Sequence, residues 1–157
     1  MKIVPLVLVA LALVALPAAP GVGAASVPLP EKSTCVPTGC AYNPTMTIGA
    51  PTCGDDGTGY ACAIVLSTRH DAAGYLCATL GYDIDAPHAG QAPGKWCATG
   101  VWFRSGSMRV VFRDIPAEGL DVEVRAVLSV TGLGLGESPP PANALTWSAG
   151  TVHLPGP

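Results

Sequence analysis

The chain has 157 residues, with 8 basic against 11 acidic side chains and 12% charged residues in all. No run of Lys and Arg occurs anywhere, which excludes the electrostatic footprint of a nucleic-acid binder and leaves an anionic membrane surface little to attract. Few charges with 19 Gly and 16 Pro could describe a disordered chain, but the β-branched and aromatic residues after Cys62 argue for a folded body.

Met1 and Lys2 lead into an apolar run, residues 3–16. Pro17 and Pro20 break it, and Val22-Gly23-Ala24 supplies a small-x-small site. These are the parts of a secretory signal peptide over residues 1–24, with a mature chain starting at Ala25 or Ser26. The alternative is an uncleaved anchor, yet a span needs about 20 predominantly apolar residues, and Pro and Gly interrupt this one. Without the leader, seven basic residues stand against eleven acidic ones. The remaining length, about 130 residues, suits one domain. The expected location is secreted or extracellular, with no membrane contact after cleavage.

All six cysteines, Cys35, Cys40, Cys53, Cys62, Cys77 and Cys97, fall between residues 35 and 97, with none in the last 60 residues. An even number in that setting is a disulfide framework, and no CxxC pair supports zinc. Residues 25–44, rich in Pro, Ser and Thr, read as an extended arm pinned near Cys35 and Cys40. A single β-domain then occupies 45–157. Its predicted strands begin with 45–49 and 60–69, joined through the turn chemistry of Gly54-Asp55-Asp56-Gly57-Thr58-Gly59. A strand at 75–82 follows, then a loop punctuated by proline and glycine, DAPHAGQAPG at 85–94.

Segments 96–103 and 108–112 flank Arg104-Ser105-Gly106-Ser107 as a hairpin loop. Over 120–130, Leu120, Val122, Val124, Ala126, Leu128 and Val130 alternate with polar residues, the pattern of a half-buried strand. SPPPAN at 138–143 is a rigid connector. Segments 145–147 and 151–154 close as a small hairpin around Ala149-Gly150. Seven or eight strands with frequent turns and no helical spacing predict an antiparallel β-sandwich, with immunoglobulin-like architecture as one form of it.

The frame GxxCA occurs three times, as GYACA (59–63), GYLCA (74–78) and GKWCA (94–98). It reads as a glycine ending a turn and a cysteine just inside the next strand. A two-residue Gly57-Thr58 loop sets Cys53 opposite Cys62 at a non-hydrogen-bonded position, where Cα atoms lie about 4.5 Å apart and a bridge fits. An Asp56-Gly57 loop would set Cys53 opposite Tyr60 instead. With Cys53 and Cys62 joined, Cys77 pairs with Cys97, and Cys35 with Cys40.

Chemistry is sparse. His70, Asp83, Asp85 and His88 have metal-ligand chemistry, but a polar loop with aspartates chosen for turn geometry is the favoured reading, so no metal is assigned. Asp55-Asp56-Gly57 lacks the spacing of an EF-hand. Gly132-Leu133-Gly134-Leu135-Gly136 has no helix after it to aim amides at a phosphate. No GxSxG elbow is present, so no catalytic residue is assigned and no cofactor is expected. Trp96, Trp102 and Trp147, with Phe103, are the aromatic stock for a binding face. The expected function is a non-enzymatic binding module whose partner is a protein or a carbohydrate. One alternative is an inhibitor of secreted hydrolases presenting the 85–94 loop, and another is a small metal-dependent hydrolase.

Overall fold

The computed structural model describes residues 32–133 and 141–157. The leader, the start of the arm, and residues 134–140, which cover parts of the 132–136 and 138–143 stretches, thus lie outside the described residues. Among the described residues every regular element is a strand: β1 (Ser33–Val36), β2 (Gly39–Ile48), β3 (Thr52–Asp55), β4 (Tyr60–Ile84), β5 (Ala89–Gly90), β6 (Trp96–Arg113), β7 (Leu120–Gly132) and β8 (Ala142–Leu154). All pairs are antiparallel, and all eight strands belong to one sheet.

The 25-residue β4 is the spine. Along one edge it meets β3 at 60–63, β2 at 66–74 and β7 at 76–84. Along the other it meets β6 over 61–78. A straight strand would hold Cys62 and Ile84 about 70 Å apart. Both nevertheless belong to one buried cluster with Met108, Val110, Phe112, Val122, Val124 and Leu154. β4 therefore coils, and its two halves face each other across a shared core. The fold is all-β and antiparallel, one curved sheet around this shared core. A second cluster, built from Ala41, Ala72, Leu76, Leu128 and Val130 among others, fills the space between β2, β4 and β7.

The predicted 120–130 strand is β7, with Val122, Val124, Ala126, Leu128 and Val130 all buried. Elsewhere the strands are longer than local chemistry suggests. The predicted strands 60–69 and 75–82 are one, because β6 pairs continuously across His70-Asp71-Ala72-Ala73-Gly74, while on the other edge β2 pairs with Asp71 to Gly74 and β7 takes over from Leu76. No hairpin interrupts β6. Its Arg104-Ser105-Gly106-Ser107 runs straight on, opposite His70, Arg69, Thr68 and Ser67 of β4. β8 is likewise unbroken, and Ala149 is the extra residue of a bulge, with Gly150 at φ 134°. The arm also differs. From Ser33 it is a paired β1–β2 hairpin, with a bulge at Asn43-Pro44 that suits a proline inside a strand.

The bridges are Cys35–Cys40, Cys53–Cys62 and Cys77–Cys97, each between residues directly opposite in register, with Cα separations of 4.1, 4.0 and 3.9 Å. The Asp56 N–H donates to the Gly59 carbonyl at 3.1 Å, and Gly57 has φ 88°. That is the Gly57-Thr58 loop, and it selects the register that brings Cys53 to Cys62. Of the three glycine frames, only the second departs from its reading. Gly74 ends no turn. It lies inside β4 at φ 113°, where the Tyr75 N–H donates to Thr38 O at 2.8 Å. Tyr75, which shares the strand face of Cys77, is 39% exposed, whereas Cys77 is buried.

Candidate functional site

The most distinctive surface is the first two-thirds of β6. A strand's backbone groups alternate in direction from one residue to the next. At Arg109 they point away from β4: its N–H donates to Gln91 Oε1 at 3.4 Å, and its carbonyl accepts from Gln91 N at 3.3 Å. Cys97, Thr99, Val101, Phe103, Ser105 and Ser107 have the same parity, so their N–H and C=O groups point to that outer edge too. β5 covers the edge only at Val110 and Val111. Among the described residues no strand pairs with it from 96 to 107.

The side chains flanking this edge are unusually apolar. Val101 is 82% exposed and Phe103 67%. Both project from the outer face, where Phe103 stands opposite Asp71 and Val101 opposite Ala73. The Arg69 guanidinium lies 5.6 Å from the centre of the Phe103 ring. On the inner face, Arg104 stacks 4.1 Å over Trp96. Taking an exposed Val or Phe side chain fully out of water is worth about 1.5–3 kcal/mol. Two of them side by side along an open strand edge form a ready contact surface.

Where this edge approaches β5, a cleft of about 440 Å³ opens between Arg104-Ser105-Gly106-Ser107 and the Gln91–Gly94 loop, floored by Thr68, His70 and Leu80. His70 is buried, its Nε2 has no hydrogen-bond partner, and its ring meets Trp102 edge-on at 5.7 Å. Burial pushes its imidazole below the usual 6.5; Asp71 partly opposes that, and Arg104 adds to it. The unfolded chain takes up this proton first as pH falls. The stability that rests on neutral His70 is therefore complete above 6.5 and is lost as pH drops through 6.5 towards the folded value. Between about pH 7 and 5 the melting temperature of the wild type should fall more than that of His70→Gln. Parallel curves in a thermal melt series would refute this.

The other residues singled out in the sequence are scattered. Asp83 pairs with Arg125 at 3.2 Å on the exposed face of β4 and β7. Asp85 is exposed beyond the end of β4. His88 Nδ1 lies 2.7 Å from the Ala86 carbonyl, and its ring leans on Tyr82 and Phe112. Among the described residues no three His, Cys, Asp or Glu side chains gather as a metal-holding group. The Asp55-Asp56 turn is internally satisfied. Gly57 N donates to Asp55, the Thr58 N–H and hydroxyl donate to Asp56, and Arg113 lies 2.7 Å from Asp56. The Thr58 hydrogen bonds, helped by Arg113, hold the Asp56 carboxyl below its usual range.

Of the tryptophans, Trp96 is 43% exposed beside the open edge. Trp102 is half-buried on the inner face, with its indole N–H unpartnered. Trp147 lies on β8 under the Lys32 ammonium, 5.4 Å from its ring. The 85–94 loop lies along the sheet: Ala89 and Gly90 pair with β6, and the Tyr82 hydroxyl donates to Gln91 O at 3.3 Å. The arginines around the edge were not singled out in the sequence, although residues 86–113 contain basic side chains and no acidic one. Arg104 and Arg109 share β6, and strand register brings Arg69 beside them.

Compared with protein-family models, curated proteins and solved structures, the chain matches none of them.

Proposed function

We propose that the chain is a secreted, non-enzymatic binding module that engages a protein partner along the open edge and outer face of β6. The observation that carries this reading is the coincidence of an unpaired strand edge with Val101 and Phe103 exposed beside it. An exposed apolar edge strand invites uncontrolled pairing, which proteins ordinarily suppress by covering or shortening it. An open edge over about two-thirds of a long strand suits a surface kept free for a partner. Three disulfide bonds suit an oxidising, extracellular setting. The dispersal of the three histidines favours binding over catalysis: His70 is buried, His88 lies against a carbonyl, and His153 is beside Asp121 at 2.8 Å. A loop tied along β6 favours a partner on the sheet edge over insertion of that loop into a hydrolase cleft.

The test uses the protein immobilised and exposed to extracellular material from its native source. Replacing Val101 and Phe103 together by Ser should lower capture of the partner by about tenfold or more, since each apolar contact is worth a kilocalorie or more. Thr151→Ala, on the distant β8, should leave capture intact. Equal capture by all three proteins would remove the β6 surface from the reading.

A further inference from the structure

The charge around the open edge is one-sided. From residue 86 to residue 113 the sequence contains Lys95, Arg104, Arg109 and Arg113 and no acidic residue. Strand register adds Arg69, which faces Ser105 across the β4–β6 ladder. Arg69 and Arg109 thus flank the edge on the outer face and Arg104 on the inner face. Asp71 is the one carboxylate opposite this part of β6, and it already accepts from the Asn43 amide at 3.0 Å and faces Arg69 at 3.8 Å. The chain as a whole is acidic, with net charge −3, so this edge is a basic strip on a molecule of opposite sign.

Resting on the reading of β6 as the binding surface, we propose that its edge from Cys97 to Ser107 receives an extended, acidic peptide segment as an added antiparallel strand. β5 and Gln91 already make a short antiparallel addition to this edge at 109–111. That addition stops where Pro93 follows, since proline offers no N–H to a ladder. A partner strand continues the same track in line with it. Six residues of β6, Cys97 through Ser107 in alternation, offer it both backbone groups. Its alternate side chains cover Val101 and Phe103, and its carboxylates reach Arg69, Arg104 and Arg109. This is recognition by β-strand addition: main-chain bonds supply affinity, and side chains select the partner. A second copy of the chain fits less well, because two such edges set arginines against arginines.

A displayed library of random eleven-residue peptides, selected on the intact protein, tests this. The enriched sequences should carry net negative charge. The best of them, made synthetically, should weaken about tenfold when its Glu and Asp become Gln and Asn, and equally when Arg69, Arg104 and Arg109 become Gln. Val101→Pro removes an outward N–H without touching the β4 ladder and should abolish binding, whereas Val101→Thr, which keeps that N–H, should retain it. Enrichment of neutral or basic peptides that Val101→Pro still abolishes would overturn the acidic partner and leave the β6 reading standing. Peptides indifferent to Val101→Pro, or no enrichment at all, would overturn both. Sedimentation of the protein as a dimer that Val101→Pro splits would assign the edge to a second copy instead.

Discussion

Reductant without denaturant is expected to unfold most of this protein. The three bridges close loops of 5, 9 and 20 residues, and loop-closure entropy assigns them about 8 kcal/mol together. A typical domain has about 5–15 kcal/mol of total stability, so the loss is comparable with the whole. Position reinforces the effect. The half of β6 next to Cys97 is exposed on both faces over most of its length, and burial holds it weakly. Cys77–Cys97 therefore anchors the strand that carries the proposed binding edge. Far-UV circular dichroism and a thermal melt with and without dithiothreitol decide the matter; an unchanged melting temperature in the fully reduced protein would contradict it.

Gly74→Val should be the most damaging single substitution on the β4 spine. A Cβ there would lie 2.4 Å from the Thr38 carbonyl oxygen and 2.5 Å from the Gly39 Cα, and the backbone has φ 113°. A left-handed conformation costs a β-branched residue about 1–3 kcal/mol, and overpacking against backbone costs about 1–3 kcal/mol more. A loss of about 4 kcal/mol is expected, with the β1–β2 hairpin displaced from β4. Urea unfolding of the variant measures the first. Faster hydrogen exchange at the Tyr75 amide reports the second, since that amide donates to Thr38. A midpoint within error of the wild type would show that the hairpin yields without cost.

Local chemistry made some of this legible. The alternation of Leu120 to Val130 specified β7 and its buried face, and counting outward from Gly57-Thr58 placed Cys53 against Cys62. Strand ends were not legible in the same way. His70-Asp71-Ala72-Ala73-Gly74 and Arg104-Ser105-Gly106-Ser107 have the composition of turns, yet lateral partners that are distant in sequence carry the ladder straight through them. Trp96 and Phe103 were visible as aromatic stock, but their faces and the freedom of the edge depend on which strands lie beside β6. The acid-free stretch that carries Arg104 and Arg109 can be read along the chain, but the approach of Arg69 to it is a property of register.

The continuity of β4 has a consequence for how the domain comes apart. β3, β2 and β7 follow one another along a single edge with little interruption, while β6 spans the boundaries between them on the opposite side. No cut across the spine leaves two pieces that each keep complete ladders. Separating β7 from β4 also strips cover from the cluster that holds Cys62 and Phe112, because Val122 and Val124 are part of it. Among the described residues, partial opening is therefore expected to begin at the rims, such as the exposed half of β6, before the shared cluster is breached. Its stability is held in common, as one cooperative unit.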